Sequence, residues 1–247
     1  MDNHQTSMKL RGPLFFYSYE PGRLGTMLSG GGACSPAGEH DSQPMRRQPQ
    51  SERPQALNVP GGLNSLFPAH PTQERRTNKM NFTLQPWNQS HIPAIAKYAN
   101  NEKIAGRLKD SFPYPYTEKD AAGFVAHCME QEGRTQISRA VVVDGEAAGC
   151  VTIVFGQDVF SRSAELGYWL GEPFWRKGIM TEAVQKLCEE AFLKYKLIRI
   201  SAEPFATNLA SRGVLEKAGF QLEGIKRKSI FKNGCIQDSH LYAVIHV

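Results

Sequence analysis

The alternation of hydrophobic and polar positions changes character near residue 80. From Met80 onward, strand-like runs and helix-like stripes follow one another with short turns between them. Phe82 and Leu84 alternate as in a half-buried strand, and Ile92, Ile95, Ala96 and Ala99 recur at i, i+3, i+4 and i+7 on one helix face. Thr117 with Asp120 reads as a capping box ahead of a second stripe of Ala121, Phe124, Val125 and Cys128. Residues 140–143 and 148–155 form apolar runs around Asp144-Gly145, a dipeptide at ease with positive φ and suited to a tight hairpin. The pattern next predicts a strand over 164–170, a long helix over 178–194 and a strand over 197–202. A helix over 208–218 ends at Gly219, a suitable left-handed cap, and a last hairpin (229–231 with 236–244) turns at Asn233-Gly234. The order β-α-α-β-β-β-α-β-α-β-β predicts one α/β or α+β domain over residues 80–247.

Residues 1–79 differ: they hold nine prolines and nine glycines and no sustained period, too little apolar patterning to offset the entropy of ordering, so a disordered leader is expected. The leader carries nine Lys/Arg against six Asp/Glu and the remainder twenty against eighteen, too dilute a charge for a nucleic-acid-binding stripe. For the same reason a leader that tethers the chain to RNA or membrane is the weakest reading. No run approaches the roughly 18–20 apolar residues of a membrane span, and no secretory signal opens the chain, so a cytoplasmic protein without membrane attachment is expected. The cysteines are five and scattered, and the histidines show no ligand spacing, so neither a disulfide framework nor a metal is expected. Cys150 and Cys188 fall in apolar patterns, which argues against a covalent thiol route.

Candidate chemistry lies between the strand ending at Leu170 and the long helix. Trp175-Arg176-Lys177-Gly178-Ile179-Met180-Thr181 is a basic, glycine-containing segment that opens a helix. The first amides of a helix have no internal partner and sit at the positive end of its dipole, so the segment suits a pyrophosphate. The stretch Ala164-Glu165-Leu166-Gly167-Tyr168-Trp169-Leu170, continuing through Gly178, resembles motif A of the GNAT superfamily of N-acetyltransferases, in its RimJ/RimL-like branch. Asn208-Leu209-Ala210-Ser211 through Ala218-Gly219-Phe220 resembles motif B, and Phe112-Pro113-Tyr114-Pro115-Tyr116 also looks like that branch.

That resemblance implies an α+β domain of GNAT fold: a mixed central sheet, splayed at an acetyl-CoA cleft and flanked by about four helices. It implies that the backbone of Tyr168, Trp169 and Leu170 pairs with pantetheine, and that Arg176, Lys177, Gly178, Ile179, Met180 and Thr181 hold the pyrophosphate. Asn208 and Ser211 are implied to touch the thiol-side arm, and Phe112, Tyr114 and Tyr116 to line the acceptor pocket. Glu165 is the implied base for direct aminolysis. The tyrosine that serves many relatives as acid is replaced by Leu215, which leaves Ser211 or a water for that role. Trp175 and Met180 also depart from the superfamily pattern. The acceptor stays open between a protein N-terminus and a small amine, as does the choice between monomer and homodimer. A coenzyme A-binding module without catalysis is the alternative reading. A valine at Gly178 is expected to block the ligand while hardly altering the fold.

Overall fold

The computed structural model describes residues 80–246; the leader expected over residues 1–79 lies outside the described residues. The elements are β1 (Phe82–Pro86), α1 (Ile92–Ala99), α2 (Glu102–Ala105), α3 (Glu118–Gln131), β2 (Gln136–Val143), β3 (Glu146–Phe155), β4 (Ser163–Leu170), α4 (Ile179–Tyr195), β5 (Arg199–Ala202), α5 (Leu209–Lys217), β6 (Gln221–Lys232) and β7 (Cys235–Ile245).

Local chemistry sets several boundaries. The Thr117 side chain accepts from the Asp120 amide while the Asp120 carboxylate accepts from the Thr117 amide, which closes the capping box of α3. Asp144 and Gly145 both take positive φ (49° and 84°), as do Asn233 and Gly234 (50° and 77°), the backbone that a two-residue hairpin turn requires. Gly219, at φ 94°, follows α5 as the left-handed residue.

The seven strands form one sheet in the order β1-β2-β3-β4-β5-β7-β6. Every neighbouring pair is antiparallel except β4 with β5. Both faces of the central strands are covered. On one, Val151, Ile153, Leu166, Leu187, Phe192 and Ile200 belong to a core that includes the inward side of α4. On the other, Ile95 of α1 and Phe124 and Val125 of α3 share a core with Ala140, Cys150 and Trp169 of the sheet. Burial on both faces is why β2 and β3 read as continuous apolar runs rather than alternating ones.

Two differences from the sequence reading have physical causes. Among the described residues there are five α-helices rather than about four, because α2, capped by Asn101, has only four residues and is too short to show a 3.6-residue period. The sixth strand runs from Gln221 rather than from residue 229, since as an edge strand it is almost wholly exposed and lacks the apolar alternation that would reveal it. Among the described residues no helix is long and apolar enough to cross a membrane.

Candidate active site

The sheet opens where its one parallel pair ends. β4 meets β5 only through Ser163, Ala164 and Glu165, opposite Arg199, Ile200 and Ser201. Residues 166–170 continue along β3 with no strand on their other side among the described residues, so peptide groups line the gap between β4 and the departing β5. Such an edge can be extended by an elongated ligand that supplies its own amides.

At the carboxyl end of β4 a single turn of 3₁₀ helix (Glu172–Phe174) leads into the segment expected to hold phosphate. The Trp175 indole Nε1 donates to the Leu170 carbonyl at 2.6 Å and so fastens this segment to the strand end. That hydrogen bond occupies one lone pair of a carbonyl assigned above to pantetheine. Arg176 and Gly178 both adopt left-handed backbone, at φ 62° and 77°. Gly178 is the N-cap of α4 and supplies no side chain to its amides, and the first helical bond runs from Glu182 N to Gly178 O. The amides of Ile179, Met180 and Thr181 therefore lack intrahelical partners, as an anion cradle requires. The Met180 side chain, a departure from the superfamily pattern, is buried in the core beside Ile179, so its amide alone faces the loop.

Among the described residues, a Cβ added to Gly178 would meet nothing within 4 Å. Valine there, expected hardly to alter the fold, would nevertheless be strained at φ 77°, even in open space.

The two faces of β4 carry different chemistry. Ala164, Leu166 and Leu170 point toward α4, whereas Glu165 shares the opposite face with Trp169. The Glu165 carboxylate lies 3.3 Å from Lys109 Nζ, which comes from the segment joining α2 to α3. Phe112 and Tyr116 are buried, with ring centroids 4.9 Å apart, and Phe112 stands edge-on to Trp169 at 5.9 Å. They belong to the core beneath this face, while Tyr114, at 54% exposure, is the one of the three that reaches solvent.

Opposite, Asn208 caps α5 by accepting from the Ser211 amide at 3.2 Å. Tyr168 sends its side chain across the splay, its hydroxyl 2.8 Å from Ser211 Oγ and 3.0 Å from the Ser211 carbonyl. Burial pushes the Tyr168 phenol up, against the opposing pull of Ser211. This pair was not readable from the sequence, where Tyr168 entered only through its backbone. Leu215 is fully buried, so the position that holds a tyrosine in many relatives is a packing position here. Burial raises the Cys188 thiol and pushes the Cys150 thiol up to about 11.

A mixed sheet splayed at one parallel pair, facing an uncapped helix start, is the GNAT architecture. The chain belongs to the GNAT acetyltransferase family: residues 81–221 match its acetyltransferase domain. The chain is 45% identical over 85 residues to "Probable N-acetyltransferase YjcK" of Bacillus subtilis, covering 34% of this chain and 47% of that protein. It is 34% identical over 85 residues to the ribosomal-protein-serine acetyltransferase of Escherichia coli, covering 34% and 48%. It thus spans about half the length of these curated relatives. Among solved structures, the RimL ribosomal alpha-N-protein acetyltransferase in complex with coenzyme A is similar in fold, with TM-score 0.61 and 24% identity over 66% of this chain and 93% of that one.

Proposed function

We propose that this protein is an acetyl-CoA-dependent N-acetyltransferase that passes the acetyl group directly to a primary amine. The observation that carries the reading is the β4/β5 gap, lined by strand peptide groups and facing the uncapped start of α4. The amides of residues 176–181 would receive the pyrophosphate, with Arg176 and Lys177 adding charge. Residues 168–170 would present backbone groups to the pantetheine arm, and acetyl-CoA supplies the activated acyl group.

Glu165 takes a proton from the incoming ammonium, since its carboxylate lies on the face of β4 that turns toward the α2–α3 segment. Ser211, hydrogen-bonded to Tyr168, stands at the opposite wall and serves as proton donor to the departing thiolate. A thiolate is already a good leaving group, so this donor is the less demanding role. Tyr114 borders the acceptor entrance. The acceptor is a protein N-terminus or a small amine; the name of the Escherichia coli relative favours the former. The setting is cytoplasmic, and residues 80–247 form the catalytic domain, with residues 1–79 a dispensable leader.

A thiol-release assay with acetyl-CoA over a panel of amines and N-terminal peptides tests the proposal. Turnover on at least one acceptor is expected, reduced at least about 100-fold in Glu165→Gln, within the usual range for removing a general base. Absence of turnover together with no rise in melting temperature on adding acetyl-CoA would refute it. Deleting residues 1–79 should leave both signals in place; loss of either would move the domain boundary.

A further inference from the structure

The segment between α2 and α3 crosses the mouth of the splay and touches three other elements. Arg107 reaches Asn208 Oδ1 at 3.5 Å on the α5 side. Lys109 meets Glu165 Oε1 at 3.3 Å on the β4 side. Asp110 accepts from Lys232, at the end of β6, at 2.7 Å. Phe112 then anchors the segment against Trp169. These contacts place the segment beside Glu165 of β4 and the N-cap of α5. The group it presents to Glu165 is a primary amine on a flexible stem, the same functional group that an external acceptor would bring.

Other lysines meet carboxylates elsewhere: Lys97 pairs with Glu146, Lys103 with Glu172 and Lys226 with Glu203. Lys109 is the lysine placed on Glu165. Its side chain is 46% exposed and that of Glu165 35%, so the pair is water-accessible, and an ion pair of this kind leaves the amine room to turn from the carboxylate toward the cleft.

We propose that Lys109 is an internal acetyl acceptor, modified by acetyl-CoA bound in the protein's own cleft. The inference rests on the reading above that the splay holds acetyl-CoA with Glu165 as base. In the step, the Lys109 ammonium gives one proton to Glu165, and the amine lone pair forms the N–C bond to the thioester carbonyl carbon. The C–S bond breaks with its electron pair on sulfur, and the thiolate takes up a proton. One ammonium and one acetyl-CoA give N-acetyl-lysine, coenzyme A thiol and one proton, with no redox partner. The product has no charge at position 109, so the ion pair with Glu165 is lost and the carboxylate is left to an external ammonium. The modification converts a self-occupied acceptor site into an open one.

The experiment uses the full chain and isotope-labelled acetyl-CoA, with the occupancy of every lysine followed by peptide mass mapping. Wild type, Glu165→Gln and Lys109→Arg are compared, each with native circular dichroism. Labelling of Lys109 is expected at least tenfold faster than at the median lysine, at a rate independent of protein concentration. Glu165→Gln should reduce it to the level of the others. Unlabelled acetyl already on Lys109 of the purified wild type, and absent from Glu165→Gln, counts equally in favour. Label spread evenly over the lysines, or Lys109 labelling unchanged in Glu165→Gln, overturns the proposal. External amines turned over while Lys109 stays unmodified overturns it alone. No rise in melting temperature with acetyl-CoA overturns the reading of the cleft as well.

Discussion

Gly178 is where ligand affinity and folding stability should come apart under substitution. It sits at φ 77° at the N-cap of α4, and a Cβ there meets nothing within 4 Å among the described residues. The folding cost of Gly178→Ala therefore comes from the backbone alone, about 1–2 kcal/mol for an L-residue in left-handed conformation. For a domain of this size that is a fall of roughly 2–8 °C in melting temperature. Gly178→Asn should cost less, because asparagine is enriched in this region. Affinity should follow the opposite order. If residues 176–181 hold the pyrophosphate as proposed, a side chain at Gly178 obstructs a phosphate oxygen, and losing one charge-assisted hydrogen bond costs about 1.5–3 kcal/mol, or roughly 10- to 150-fold in Kd. Asparagine, the larger residue, should lose more affinity than alanine while keeping more stability. Calorimetric titration with acetyl-CoA, alongside thermal melts, measures both orders. Wild-type Kd in a natively folded Gly178→Asn protein would remove the phosphate cradle from residues 176–181.

Two further outcomes concern stability. Arg139, 11% exposed, bonds Glu132 at 2.6 Å and Glu190 at 2.8 Å. Arg139→Met takes one partner from each carboxylate, leaving Glu132 the Ser138 amide and Glu190 the Lys194 ammonium, and should cost about 2 kcal/mol, less than a fully buried pair because the carboxylates keep these partners and some water; a change below about 0.5 kcal/mol in a denaturant melt would contradict this. Burial alone would raise Glu190, but Lys194 and Arg139 outweigh it and hold it below the usual 4.5. Its contribution is thus present above pH 4.5 and lost as the pH falls through the depressed value, with a shallower acid-side loss in Arg139→Met. Burial lowers His91 from 6.5, so the unfolded chain takes up its proton first and stability declines as the pH drops below 6.5. His91→Gln should flatten stability over that range, and an unaltered pH profile by thermal melt would show that His91 is not responsible.

What was legible in the sequence was local. The capping box at Thr117, the Asp144-Gly145 turn and the glycine opening of α4 each depend on a few adjacent residues whose side chains or φ angles dictate the backbone. The splay could be placed only through family resemblance, because strand pairing depends on partners 36 residues apart, such as Glu165 and Ser201. Tyr168 with Ser211 and Lys109 with Glu165 were invisible for the same reason, being 43 and 56 residues apart. Met180 and Leu215 stand out as departures when set against a motif. Their burial makes them packing choices, which a motif comparison cannot distinguish from a damaged site. Phe112 and Tyr116 show the converse, since aromatic residues assigned to a pocket by analogy lie mostly in the core.

Amide hydrogen exchange, with and without acetyl-CoA, tests the central claim most directly. If the coenzyme lies along the open side of β4 and against the start of α4, added protection should concentrate in residues 166–170 and 176–181, where amides lack strand or helix partners on the ligand side. α1 and α3, on the far face, should exchange as before. Protection confined to those helices, or no change at saturating acetyl-CoA, would contradict the account.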